Sequence, residues 1–183
     1  LKIGRFGPTS TDKLASTIAE LGGWLENHPV DWIVVQGDTT SALAGALVGM
    51  TAGIPVAHVE GGLRTGDVTS PFPEEHHRRA IASVAALHFP PTVGAQANLI
   101  AEGIEQGNAP VVGNTVIDAL WWMRERLSGR ELERLNLPSG RRLGLLTVHR
   151  RETQGEPRRR VLDAIAKVVD SRAHQWCFVV PVH

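Results

Sequence analysis

Short apolar runs alternate with helix-length segments along most of this chain, and that alternation limits the fold more than any other feature. Asp12 to Asn27 repeats apolar residues at Leu14, Ile18, Leu21 and Leu25, a spacing that makes one helix face. Ser10 or Thr11 is the expected cap and "NHP" the expected stop. In "DWIVVQGD", the continuous run from Trp32 to Val35 reads as a parallel strand buried on both faces. Thr40 to Ala52 reads as a helix of small residues that stops at Gly53, and "IPVAHV" as the next strand. Glu74 to Ala85 is then helix, "ALHFPP" strand, Val93 to Glu102 helix, "APVVG" strand and Val116 to Leu127 a long helix. Repeated β–α units predict an α/β fold with a doubly wound parallel sheet.

Residues 128–141 change character: "SGRELERLNLPSGR" is polar, charged and interrupted by Gly and Pro, and reads as a partly helical connector. After it "RLGLLTVHR" opens a strand, Arg158 to Ser171 a helix and "WCFVVPV" another strand. The expected organisation is a first domain over 1–127, a connector over 128–141 and the start of a second α/β domain over 142–183. The chain opens on Leu1 and stops at His183, straight after a strand-like run with no closing helix, which predicts an internal piece of a longer protein.

Nineteen basic and nineteen acidic residues balance to zero net charge, which argues against a nucleic-acid backbone as the main partner. Arg158-Arg159-Arg160 reads as a solvated helix face. The single cysteine, Cys177, reads as a buried packing residue and fits the cytoplasm. No apolar run reaches the roughly 20 residues of a membrane helix, and no signal peptide opens the chain, so no membrane partner is expected.

Open parallel sheets bind ligands beyond the carboxyl ends of their strands. Asp38 follows the first strand-like run, Glu60 the second, His149 the run at Leu146 and His183 the last. Acids and histidines therefore recur at one edge of the sheet. Asp38 suits a helix cap in "GDTTS" and a functional carboxylate equally well. Glu60 reads as functional, since a carboxylate directly after a buried strand is costly unless paired. Arg64 is its candidate partner. Glu74 and Glu75 are explained at first sight by a favourable helix dipole. His58, two residues before Glu60, is expected on the same sheet face as a structural histidine. His76, His77 and His88 read as structural or exposed. No H-x-x-x-H, H-E-x-x-H or C-x-x-C spacing occurs, so no metal is expected. G-x-G-x-x-G and G-x-S-x-G are absent too, leaving a nicotinamide enzyme and an α/β hydrolase without support.

"QGDTTSALAGALVGMTAGIPVAHVEGGLRTGD", "SPFPEEHHRR", "LHFPPT", "VVGNTVIDAL", "TVHRRE" and "PVH" occur in that order. Together they resemble the non-hydrolysing UDP-N-acetylglucosamine 2-epimerase family, from about Asp31 to His183. The resemblance implies a two-domain, glycosyltransferase-B-like architecture of Rossmann-like domains. The present chain would lack the first strands of one domain and most of the other, and would be inactive alone. The family commonly has Glu-Ala-Gly where Glu60-Gly61-Gly62 stands here, and Asn where His77 stands.

The resemblance further implies inversion at C2 of UDP-N-acetylglucosamine to give UDP-N-acetylmannosamine. UDP is lost by anti elimination, 2-acetamidoglucal forms, and UDP adds back after C2 is protonated on its other face. No cofactor or metal is implied. The catalytic role falls on Asp38, Glu60 and Glu74, with acid and base unassigned, and on His149 at the leaving group. Arg78 would steer the diphosphate or orient Glu74, His183 would face the nucleotide, and Arg150 would touch a second, activating UDP-N-acetylglucosamine. A homodimer is implied. The rival readings are a hydrolysing epimerase or sugar transferase on the same scaffold, and a non-catalytic nucleotide-sugar-binding module.

Overall fold

The alternation of strands and helices is present in the computed structural model, which describes residues 9–128, 133, 136–147, 155–172 and 174–181. The chain divides into two compact units, Leu1–Trp121 and Trp122–His183. The first holds α1 (Ser10–Leu25), β1 (Ile33–Gln36), α2 (Thr40–Ala52), β2 (Val56–Val59), α3 (Glu74–Val84), β3 (Leu87–Phe89) and α4 (Val93–Ala101). A 3-10 turn at Gln106–Asn108 and α5 (Thr115–Arg126) follow, and the division between the units falls inside α5.

The local chemistry explains most of these boundaries. α1 starts two residues earlier than expected, capped by Thr9 rather than Ser10 or Thr11, because Thr9 and Asp12 form a reciprocal capping box, each side chain bonding the other's backbone N–H. α2 begins after Thr39, whose Oγ1 accepts from the Ala42 N–H, and ends at Gly53 in the left-handed conformation that closes helices. The small residues of α2 let it lie close on the sheet: a Cβ on Gly45 would stand 2.9 Å from Val35 Cγ1.

β1, β2 and β3 form one parallel sheet in that order, with Val35 opposite His58 and His58 opposite His88. Val35, Ala42, Leu43, Ala46, Val56 and Ile81 form the core between this sheet and α2 and α3. Ala82, Leu99 and Ala109 form a second cluster under α4.

Two strand expectations need correction. β1 is buried on one face only: Val35 packs against α2, while Val34 is 65% exposed, because no described element covers the opposite face. "APVVG" is not a strand. Pro110 has no N–H to give a ladder, Val111 and Val112 are exposed, and the segment makes one sheet-like bond, from Val112 N to Pro90 O at 3.1 Å.

In the second unit β4 (Arg142–Leu145) pairs in parallel with β5 (Trp176–Val179), Arg142 opposite Trp176. α6 (Glu156–Arg172) lies between them in the chain. Arg158, Arg159 and Arg160 are exposed on α6, as expected of a solvated face, and Cys177 is half-buried rather than buried. Among the described residues no helix is long and apolar enough to cross a membrane.

Candidate active site

The carboxyl ends of β1 and β2 carry the polar residues singled out above. Asp38 comes two residues after β1, past Gly37. It does not cap α2, because Thr39 does. Instead its Oδ2 accepts from Arg78 Nε at 2.8 Å and pairs with Arg78 Nη2 at 2.6 Å. Its backbone carbonyl accepts a hydrogen bond from His77 Nδ1 at 2.7 Å. Two consecutive residues of α3 thus hold Asp38 by side chain and backbone at once. His77, at the position where the resemblance expects Asn, supplies the second of these holds.

Arg78 does not hold Glu74, the glutamate it is expected to orient; it reaches the next residue, Glu75, its Nη1 donating to Oε2 at 3.2 Å. Glu75 has no exposure to water. Its carboxylate also accepts from the Thr65 N–H at 3.2 Å and from Arg79 Nε at 3.4 Å. Burial pushes this carboxyl's pKa up, but the Thr65 N–H and the two guanidinium groups outweigh it and hold the net value below the ordinary range. In the sequence, a helix-dipole role alone accounts for Glu75. Its spacing of three and four to Arg78 and Arg79 is the signal that marks it.

Glu60 lies just beyond β2 with φ at 66°, in the left-handed region that few residues other than glycine adopt. Its N–H donates to Phe89 O at 3.0 Å, extending the sheet by one bond. Because Glu60 has left the strand, the period-two rule that would set it on the His58 face does not apply. His58 is buried, with Nε2 against Gly37 O at 2.9 Å, and burial lowers its pKa. The Glu60 carboxylate is held by two amides instead: Gln36 Nε2 donates to Oε2 at 2.6 Å and Asn114 Nδ2 to Oε1 at 3.4 Å.

Arg64 is not its partner. Arg64 donates from Nε and Nη2 to the two oxygens of Glu102, at 2.7 and 2.6 Å, a forked geometry that fits one carboxylate. That guanidinium holds Glu102 below the ordinary carboxylate range. Nothing in the local sequence marks Gln36 or Asn114 as partners of Glu60. No local pattern reveals contacts made 24 and 54 residues away.

The two assemblies adjoin at Gly37: a Cβ there would be 3.9 Å from Glu60 Oε2, and Asp38 is the next residue. Glu74 is half-buried in the first turn of α3, and its carboxylate has no hydrogen-bond partner among the described residues. Of the other histidines, His76 is exposed and lies edge-on to Phe72, while His88 is buried with neither ring nitrogen bonded among the described residues. His149, Arg150 and His183 lie outside the described residues. Among the described residues no group of three or more His, Cys, Asp or Glu side chains is placed to hold a metal ion.

A sequence profile of the UDP-N-acetylglucosamine 2-epimerase family matches residues 2–183. The chain belongs to the UDP-N-acetylglucosamine 2-epimerase family. It is 40% identical over its full length to the UDP-N-acetylglucosamine 2-epimerase of Yersinia pestis, covering 50% of that protein. It is 37% identical to the Bacillus subtilis UDP-N-acetylglucosamine 2-epimerase, covering 47% of it. A crystal structure of the Neisseria meningitidis epimerase bound to UDP-GlcNAc matches 99% of the chain at a TM-score of 0.92 and 33% identity, over 50% of its own length. The Methanocaldococcus jannaschii epimerase in complex with UDP-GlcNAc and UDP matches 99% of the chain at a TM-score of 0.81 and 33% identity, again over 50% of its length. The chain thus spans about half the length of these relatives. Together with the parallel sheets, the likenesses make this epimerase-family chain Rossmann-like α/β, of the glycosyltransferase-B-like class.

Proposed function

We propose that this chain carries part of the active site of a non-hydrolysing UDP-N-acetylglucosamine 2-epimerase. The observation that carries the proposal is the edge described above. Asp38 is ion-paired to Arg78 and Glu60 is held by two neutral amides, on either side of Gly37. Relatives that bind UDP-GlcNAc support the substrate class.

The reaction moves a proton at carbon and changes no oxidation state overall. One carboxylate takes the C2 proton as the C1–O bond breaks, and UDP leaves with the bonding pair to give 2-acetamidoglucal. A proton then reaches the other face of C2, and a UDP oxygen re-forms the bond to C1. Asp38, Glu60 and Glu74 supply the proton-exchanging groups, a role worth about 100- to 10,000-fold in rate for a placed acid or base. Arg78 sets the position of Asp38 and brings positive charge toward the diphosphate. His149 stabilises the leaving group and His183 meets the nucleotide, both by resemblance. Arg150 contacts a second, activating substrate molecule. We assign 1–127 to the first Rossmann-like domain, 128–141 to the connector and 142–183 to the start of the second, in a cytoplasmic homodimer that needs no cofactor.

Product analysis tests the reading. A full-length form, of the relatives' length and carrying this chain, is incubated with UDP-N-acetylglucosamine. UDP-N-acetylmannosamine at equilibrium with substrate is expected. Free N-acetylmannosamine with stoichiometric UDP would mean a hydrolysing epimerase, and binding without turnover a non-catalytic module.

A further inference from the structure

Asn114 does two things with one side chain. Its Oδ1 accepts from the Val116 N–H at 2.9 Å, capping α5, and its Nδ2 donates to Glu60 Oε1 at 3.4 Å. The cap decides which way the amide faces: with the oxygen committed to the helix, only N–H groups are left to meet Glu60. Gln36, the last residue of β1, gives Nε2 to the other carboxylate oxygen at 2.6 Å. Glu60 also sits in a left-handed backbone conformation, a strained placement of the kind retained where a side chain must be aimed.

We infer that Asn114 and Gln36 are positioning residues for Glu60: they fix its carboxylate from both sides with uncharged donors. The inference rests on the reading of Glu60 as a catalytic group. A cation in either place would hold the carboxylate in its charged form, as Arg64 does for Glu102. Amide donors orient the oxygens and leave the charge available to take a proton. The cradle also ties the start of α5 to the sheet edge, so the two oxygens are aimed by elements far apart in the sequence. The titratable and charged groups around Glu60 are His58 on β2 and, past Gly37, Asp38 with its partner Arg78; Arg64 is engaged by Glu102.

The test is Asn114→Asp in the full-length form, with Gln36→Glu as an independent second arm. Asp keeps the oxygen that caps α5 but turns the donor toward Glu60 into a second carboxylate. Two like charges that close cannot both ionise freely, so the folded-state pKa of the pair rises. A raised folded pKa gives stability that is present at low pH and lost as pH rises through it. The urea midpoint of N114D should therefore fall by about 1 M between pH 5 and pH 8 relative to the unsubstituted protein. Adding Glu60→Gln should abolish that extra fall. The acidic limb of the kcat/KM profile should move up by about one to two pH units. Q36E should do the same. Coupling to Glu60 in the stability data without epimerase turnover in the unsubstituted protein would keep the cradle and overturn only the proposed reaction. Normal turnover with no pH-dependent coupling in either N114D or Q36E would overturn the cradle.

Discussion

Glu75→Gln removes a charge from a position with 0% exposure and leaves the side chain's shape almost unchanged. The carboxylate accepts from Thr65 N, Arg78 Nη1 and Arg79 Nε. Glutamine offers one acceptor oxygen, and its NH2 group faces donors it cannot satisfy. Removing one member of a buried ion pair costs about 3–5 kcal/mol. Arg79, 47% exposed, can turn to solvent, and Arg78 keeps Asp38, so the low end applies, about 3 kcal/mol. With a urea dependence of about 1–3 kcal/mol per molar, the unfolding midpoint at pH 7 should drop by roughly 1–3 M.

The pH dependence gives a second check on Glu75. Its folded pKa lies below the ordinary glutamate value of 4.5, so its stabilisation is present above that value and is lost as pH falls through the folded pKa. The gap between the two proteins should narrow progressively as pH falls below 4.5. A variant within about 0.5 kcal/mol of the unsubstituted protein at pH 7 would refute the reasoning. So would a gap that stays constant into acid.

Gly62→Ala should cost more than about 2 kcal/mol, because φ is +84° and the new Cβ would fall on the Ala95 carbonyl oxygen; an unchanged melting temperature would refute that close approach. His88 is held neutral, its pKa pushed down to about 4 by burial first and by neighbouring His58 second. An unfolded histidine protonates near 6.5, so stability is full above that and is lost as pH falls toward 4, by about 2 kcal/mol at pH 5. His88→Leu should flatten this slope in urea titrations at pH 7 and pH 5, and equal slopes would place the acid sensitivity elsewhere.

What the sequence makes legible follows from where the deciding contacts lie. α2 is read to both ends, since Thr40 to Ala52 is bounded by a threonine cap and a left-handed Gly53, both local. The acids at the sheet edge are legible because parallel strands present their carboxyl ends to ligands. Their partners are not. Arg64, four residues from Glu60, pairs with Glu102, 38 residues away, because the chain turns out of the strand at Glu60. Asp38 reads equally as a cap until Arg78, 40 residues on, is seen to hold it. "APVVG" carries the apolar signature of a strand, yet Pro110 and the exposure of its valines keep it out of the sheet. Glu75 is the opposite case: its pairs to Arg78 and Arg79 are local, but the helix-dipole explanation accounts for an acid there without them.

The central claim is that a carboxylate at this edge exchanges the proton on C2 of the sugar. Deuterium incorporation tests it most directly. The full-length form and its Glu60→Gln variant are incubated with UDP-N-acetylglucosamine in deuterated water, and the C2 position is followed by NMR. The account predicts exchange at C2 in the unsubstituted protein, slowed by about 100- to 10,000-fold in the variant while its fold and substrate binding persist. Equal exchange by both proteins would contradict the role given to Glu60, and epimerisation with no solvent deuterium at C2 would contradict proton removal at that carbon altogether.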